Sequence, residues 1–250
     1  MYSVSDLYDS IVADTSHYFE TKVEINGVPY GESDLMSVHA AYTVFSQEQP
    51  TVGGCLAAEL EVKMLAPSAT IPRMARVRPY IRAKNATQTS EWIPQGVFFI
   101  DTRETTNNDD GLNILTLHCY DAMLKAEADF PSTTISFPTQ VYRVVDLISY
   151  TMGLQASADG FMGGVDARTK RLLANVYTMG LPVGYSMREV LGNIASMYGG
   201  NWIMNYDGQL RLVPLYELPS ETDYLVDDQF EAITFGEFEV GDGEETRILV

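Results

Sequence analysis

The first 120 residues contain short segments in which polar and apolar residues alternate, separated by turn-forming residues. Residues 21–28 alternate in this way and contain an Asn-Gly pair, which is typical of a two-residue hairpin turn. Five further segments fit the pattern, at residues 37–45, 56–65, 76–84, 95–103 and 112–120, with Gly, Pro, Asn or Asp clusters between them. Strands at this near-regular spacing predict a barrel or a sandwich.

After Cys119 the spacing of the apolar residues changes from the alternation of a strand to the spacing of a helix. Residues 140–152 place apolar side chains on one helical face, with Thr139 positioned to cap the helix and Gly153 to end it. A further helical turn or two over residues 121–129 ends at a Phe-Pro pair. The sequence therefore predicts a boundary near residue 130.

A second helix is predicted from a capping box at residues 186–189, followed by an apolar helical stripe and by Gly199 and Gly200. Residues 201–204 and 209–213 then flank a Tyr-Asp-Gly turn, which indicates a tight hairpin. We therefore expect a mainly β protein in which an α+β domain over residues 131–214 follows the first β domain.

The chain is strongly acidic, with 34 acids against 16 bases and a formal net charge of −18. This charge excludes nucleic-acid binding through a generally basic surface, although DNA could pass such a protein without adhering to it. Residues 215–250 hold eleven acids and one base, as a solvated acidic surface would. No run of about 18 apolar residues occurs, so we expect no membrane insertion by this chain.

Catalytic and metal-binding motifs are not evident. His17, His39 and His118 are scattered, without the spacing that places two ligands on one helix face. Cys55 and Cys119 lie far apart and outside any C-x-x-C motif, so we interpret both as reduced and buried. The sequence contains neither a phosphate-binding loop nor a nucleophile elbow. We accordingly expect no catalytic residue, no metal, no cofactor and no enzymatic activity.

One predicted strand carries a basic stripe that is unusual in so acidic a chain. Because side chains two apart share a face, this stripe consists of Arg76, Arg78, Tyr80, Arg82 and Lys84. It could form a subunit interface with carboxylates of a neighbouring copy. Alternatively, it could pair across strands within the chain, with acids such as Glu59 and Glu61. The fifteen Tyr and eleven Met also favour protein interfaces.

Two stretches carry a resemblance to a known family. Residues 90–101 (SEWIPQGVFFID) and 115–124 (LTLHCYDAML) resemble prophage tail proteins of the baseplate-hub or tail-tip family. Residues 186–200 (SMREVLGNIASMYGG) and 201–213 (NWIMNYDGQLRLV) extend the resemblance in the order expected for the family.

The resemblance implies a structural subunit of a virion tail, made in the bacterial cytoplasm. In such hubs two related antiparallel β-barrels per subunit make a trimer look six-fold, so that the ring joins the tail tube to the spike or tip as a symmetry adaptor. The implied partners are the chain itself, tube proteins and spike or tip proteins, with DNA only in transit. Residues 1–130 would be a tube-like first barrel, and 131–214 the α+β domain. Residues 215–250 would begin a second barrel, or close the first.

Family members continue well beyond residue 250, so the resemblance leaves open whether the chain is a fragment. It also suggests that acids could line a DNA conduit, for which Glu231, Glu237 and Glu239 are candidates.

Two alternatives to a structural role remain open. A host-surface carbohydrate-binding module would need a shallow aromatic groove, for which Trp92, Trp202 and tyrosines are the candidates, although core anchoring is the more ordinary role for both tryptophans. A cell-wall hydrolase would need two facing carboxylates in a cleft. The acids considered for that role are Asp101, Glu104, Asp109 and Asp110, which are more simply interpreted as surface residues.

Overall fold

The computed structural model describes residues 4–45, 50–107, 112–154, 162–174, 177–216, 225–226 and 232–233. The chain divides into two compact units, Met1–Val213 and Pro214–Val250. In the second unit, strands Leu225–Val226 and Ala232–Ile233 pair in antiparallel fashion. The remaining elements all belong to the first unit.

The first part of this unit is one antiparallel sheet preceded by a short helix, α1 (Asp6–Val12), which Ser5 caps. Its strands are β1 (Tyr18–Ile25), β2 (Val28–Tyr30), β3 (Leu35–Ala41), β4 (Glu59–Leu65), β5 (Arg76–Lys84), β6 (Ile93–Pro94), β7 (Phe98–Asn107) and β8 (Asn113–Asp121). The predicted Asn-Gly hairpin is confirmed, because Ile25 pairs with Val28 around Asn26 and Gly27, which both have positive φ.

The strand order is β2-β1-β5-β7-β8-β4-β3, with β6 paired to β5. Among the described residues, no pairing joins the outer strands β2 and β3, so closure of the sheet into a barrel is not confirmed. The fold is mainly β, with an antiparallel sheet and few helices.

Alternation along the strands gives the sheet one apolar face. Val23, Leu60, Val62, Val77 and Leu117 are all buried on this inner face. The residues between them in sequence point to the opposite, outer face, which is polar because β1, β4 and β5 carry Glu, Lys and Arg there. This outer face holds the basic stripe.

The second part is a layer of short helices and strands. It consists of a 3₁₀ helix (Ala122–Glu127), β9 (Thr139–Gln140), α2 (Val141–Thr151), α3 (Ala167–Leu173), β10 (Thr178–Met179), α4 (Met187–Met197), β11 (Gly200–Met204) and β12 (Leu210–Pro214). Val144, Ile148, Leu191, Ile194 and Trp202 pack in its core. The domain boundary near residue 130 stays a prediction.

The helix ends are determined by local chemistry. The Ser186 and Glu189 capping box is formed as predicted, each side chain accepting from the other residue's backbone N–H. At α2 the expected cap was wrong: Gln140, not Thr139, is the N-cap residue, and its side chain makes no capping bond. Gly153 follows the end of α2 with a φ of 72°, as expected for a helix stop.

Candidate functional site

The basic stripe lies on β5, opposite β1 in antiparallel register. Val77, Pro79 and Ala83 are buried on the inner side of β5, which turns the intervening residues outward. Tyr80 is paired with Lys22, and Arg82 with Glu20, across the two strands. We call the outward residues of these two strands the cationic face. It consists of Glu20, Lys22, Glu24, Arg76, Arg78, Tyr80, Arg82 and Lys84.

Part of this face is neutralised by β1. Glu20 receives Arg82 Nη2 at 2.5 Å and Lys84 Nζ at 2.9 Å. Hydrogen bonds from Lys84 and Arg82 lower the pKa of the Glu20 carboxyl below its ordinary value. Glu24 binds Lys22 Nζ at 2.9 Å and accepts a hydrogen bond of 3.1 Å from the Tyr80 hydroxyl. These contacts hold the long basic side chains against the sheet.

Trp92 adds an aromatic ring to the face. It immediately precedes β6, which pairs with Tyr80 and Ile81 of β5. The Arg82 guanidinium carbon lies 4.2 Å from the centroid of the Trp92 ring, and Lys22 Nζ lies 5.0 Å from it. Cation–π attraction therefore helps to fix both basic groups.

The stripe does pair within the chain, but not with the acids that the sequence suggested. Glu59 and Glu61 lie on β4, which is separated from β5 by β7 and β8. Glu61 instead lies 3.7 Å from His118 Nδ1 on the neighbouring strand. The partners of the stripe are Glu20 and Glu24. The alternation of acids along β1 was the sequence signal that would have identified them.

At one end of the face, Arg76 and Arg78 form no direct ion pair among the described residues. Arg76 is exposed, and its backbone N–H donates to Asn26 Oδ1 at 3.0 Å. Arg78 is half-buried, and its Nε is enclosed without a hydrogen-bond acceptor. Within the described part of the chain, neither guanidinium has a carboxylate within ion-pair distance. Five bases and two acids thus share this face, in a chain whose formal charge is −18.

Other predicted site residues fall outside the part of the chain that the structure describes. Glu231, Glu237 and Glu239, the candidates for an acidic lumen, lie outside the described residues, as do Asp109 and Asp110.

Two of the acids considered for hydrolysis can be placed. Asp101 and Glu104 are exposed on β7. A groove of about 200 Å³ between β1 and β3 contains one charged residue, Glu32, among its lining. This groove therefore does not present the two facing carboxylates that glycoside hydrolysis requires.

The two tryptophans do not form a common groove. Trp202 is completely buried in the core of the α+β layer, where its indole N–H donates to the Leu191 carbonyl oxygen at 2.8 Å. Trp92 lies half-buried on the cationic face. Trp202 therefore has the core-anchoring role that the sequence favoured, and it is not available to an aromatic groove with Trp92.

Both cysteines are free and buried, as predicted. Burial raises the pKa of each thiol to about 12, so neither is a nucleophile at neutral pH. Across the described ranges, no group of three or more His, Cys, Asp or Glu residues is arranged to hold a metal ion. In the same ranges, every helix is too short or too polar to cross a bilayer.

Sequence reasoning missed a polar cluster where α4 meets the sheet, in which Asp121 is buried, Arg188 half-buried and Glu127 exposed. Arg188 donates to the carbonyl oxygens of Cys55 and, at 3.1 Å, Met123, and its Nε lies 2.6 Å from Glu127 Oε1. The Asp121 carboxylate accepts from the backbone N–H groups of Ala58 and Met123 at 2.8 and 2.9 Å. Burial raises the pKa of Asp121 to about 6. These contacts join the two layers of the unit.

Comparison with known proteins gives matches among solved structures only. No family model matches the chain, and no curated protein matches it. The 43 kDa tail protein of prophage MuSo2 from Shewanella oneidensis superposes with a TM-score of 0.49 and 10% identity, over 84% of this chain and 59% of that one. A tail protein from Neisseria meningitidis MC58 superposes with a TM-score of 0.47 and 12% identity, over 78% of this chain and 51% of that one. The chain thus spans less than two thirds of either protein.

Proposed function

We propose that the chain is a structural subunit of a phage or prophage tail, at the baseplate hub or tail tip, where copies form a ring that joins the tube to the spike. The observation that carries the assembly role is the cationic face, where five bases share two carboxylates and where Arg76 and Arg78 form no direct ion pair with a carboxylate of the described residues. The tail assignment is supported by the sequence resemblance at residues 90–101, 115–124 and 186–213.

The physical argument begins with Arg78. A guanidinium nitrogen that is enclosed without an acceptor is costly, because desolvation is not compensated by a hydrogen bond. The neighbouring Arg76 is exposed and can reach a partner. Arginine binds carboxylates through paired, charge-assisted hydrogen bonds, so an acidic protein surface docked here would pair with the exposed Arg76, and the positive charge of Arg78 beside it would add to the attraction.

The other basic side chains of the face are already held in fixed positions. Glu20 and Trp92 hold Arg82 in place, and Glu24 together with Tyr80 holds Lys22. Side chains that are already fixed lose less conformational entropy on binding. The face therefore offers a rigid surface rather than a set of mobile charges.

The overall charge suits a ring through which DNA passes. A net charge of −18 repels the phosphate backbone, so a genome in transit would not adhere to the walls. In this proposal Glu231, Glu237 and Glu239 contribute to the lumen, and the ring is a trimer in the assembled tail. The proposal assigns no catalytic residue to the chain.

A deletion strain tests the function. In the bacterium that encodes the chain, removal of its gene should leave tails without a completed end, seen by negative-stain electron microscopy. The wild-type gene should restore complete tails, whereas the double variant Arg76→Glu with Arg78→Glu should not.

The matched control carries Arg143→Glu and Arg168→Glu, two exposed arginines on α2 and α3 with the same change in net charge. This control should restore complete tails. Normal tails and undiminished infectivity in the deletion strain would refute the proposed function.

A further inference from the structure

We infer that the cationic face of one copy binds the acidic end of the same sheet in a second copy, through Glu59, Glu61 and Glu104. This inference rests on the proposed assembly role and identifies the partner surface. It describes a head-to-tail contact in which the two surfaces are different.

The strand register places both surfaces on the outer side of one sheet. Arg76 is paired with Phe99, Phe99 with Tyr120, and Tyr120 with Glu59. Directly paired residues in a sheet point to the same side. Arg76 and Glu59 therefore stand at opposite ends of one cross-strand row, three strand spacings or about 14 Å apart.

Glu61 and Glu104 lie on the same side of the sheet. Glu61 is paired with His118, and Glu104 with Thr116, which is in turn paired with Lys63 of β4. Glu59 and Glu104 are exposed, and neither has a basic group within ion-pair distance in the described ranges. Among the described residues, the ion-pair contact of Glu61 is with His118, at 3.7 Å. We call Glu59, Glu61 and Glu104 the acidic end.

These charges cannot neutralise one another within one copy. A separation of about 14 Å along a single sheet greatly exceeds an ion-pair distance and exceeds the Debye length at physiological salt. Among the described residues Arg76 and Arg78 form no direct ion pair, although Glu24 lies opposite Arg78 across the strands, whereas Glu59 and Glu104 are exposed elsewhere on the sheet. A second copy, related by a rotation that brings its acidic end over the cationic face, supplies those carboxylates.

Head-to-tail contacts have a geometric consequence. Each copy uses one donor surface and one acceptor surface, so the contact repeats and closes into a ring when the rotation permits. The same two surfaces can also meet reciprocally in a two-fold pair, in which the cationic face of each copy contacts the acidic end of the other. Charge complementarity between the unlike ends therefore favours association of the copies, and the mass of the assembly distinguishes a ring from a pair.

Charge reversal tests the contact in solution. Variant A carries Arg76→Glu and Arg78→Glu, and variant B carries Glu59→Lys and Glu61→Lys. Sedimentation velocity at low ionic strength should show association of the wild-type chain, weakened at least tenfold in A alone and in B alone. An equimolar mixture of A and B should regain association, because the unaltered cationic face of B meets the unaltered acidic end of A and the two reversed surfaces also carry opposite charges.

The control Arg143→Glu with Arg168→Glu should associate like the wild type, and circular dichroism should show that every variant is folded. The inference is overturned if A and B each associate like the wild type, if their mixture remains monomeric, or if the wild-type chain is monomeric up to millimolar concentration. Those outcomes concern this contact alone. The deletion strain tests the tail function independently of them.

Discussion

Asn201 clamps the glycine-rich segment before β4 onto the α+β layer, accepting the backbone N–H of Gly54 through Oδ1 at 2.6 Å. Its Nδ2 donates to the carbonyl oxygens of Val44 and Thr51 at 2.9 and 2.6 Å. The side chain is completely buried. Beside it, the backbone N–H of Trp202 donates to the Gly54 carbonyl oxygen at 2.8 Å, so the residues around Gly54 run alongside β11. One amide thus makes hydrogen bonds with three partly buried backbone groups.

We expect the substitution Asn201→Leu to lower the free energy of unfolding by about 3 kcal/mol, because it removes three hydrogen bonds from a buried side chain to partly buried backbone groups. Urea unfolding followed by tryptophan fluorescence measures this. Asn193→Leu is the control, since Asn193 is exposed on α4, and should change stability little. Equal effects of the two substitutions would contradict the clamp.

Gly192 of α4 packs against the same glycine-rich segment, at Gly53, and provides a second test of how that segment is held. A Cβ at this position would lie 2.8 Å from the Gly53 carbonyl oxygen, which is backbone and cannot move aside as a side chain could. In an ordinary helix interior, Ala would be more stable than Gly by about 1 kcal/mol. Here we expect Gly192→Ala to be destabilising, by about 1 to 2 kcal/mol, because overpacking outweighs the helix preference.

The control for this second test is Gly31→Ala, at a position where a Cβ meets nothing within 4 Å. It should leave stability unchanged or slightly raised. Thermal unfolding of the two variants and the wild type measures the difference in stability. A stabilised Gly192→Ala protein would show that α4 does not press against the Gly53 segment.

Asp121 predicts a specific dependence of stability on pH. Burial raises the pKa of its carboxyl from 3.8 to about 6, although hydrogen bonds from the Ala58 and Met123 N–H groups oppose the shift. The folded state therefore holds this proton at pH values where the unfolded chain has released it. The contribution of Asp121 to stability is fully present below about pH 4 and is lost as the pH rises through about 6.

We therefore expect the wild type to lose about 3 kcal/mol relative to an Asp121→Asn variant between pH 4 and pH 7. Denaturant unfolding at several pH values measures the difference between the two proteins. Asp207→Asn, at an exposed turn position, is the control and should show a constant difference from the wild type. A pH-independent gap for Asp121→Asn would contradict the shifted pKa.

The local features of the sequence predicted local structure well. The Asn26-Gly27 turn, the capping box at Ser186 and Glu189, and the stop at Gly153 each depend on neighbouring residues, and all three are present. The cap at Thr139 was wrong, because Thr139 instead joins β9 and pairs with Met179, a partner forty residues away. Helix α3 was not predicted.

The strand order depends on long-range pairing, which the sequence pattern did not predict. The alternation in β5 predicted a one-sided basic stripe, but not that β1 would lie beside it and β4 three strands away. Strand order depends on the competition among many similar strands, which alternation alone does not resolve. For the same reason the sequence named Glu59 and Glu61 as partners of the stripe, whereas Glu20 and Glu24 fill that position.

The most direct test of the account is the location of the chain in assembled tails. A strain that carries an epitope-tagged copy of the gene is grown, its tail particles are purified, and bound antibody is located by immunogold electron microscopy. The account predicts gold at one end of each particle, where tube and spike meet. Gold distributed along the tube, or tails free of the chain although the lysate contains it, would contradict a hub or tip subunit.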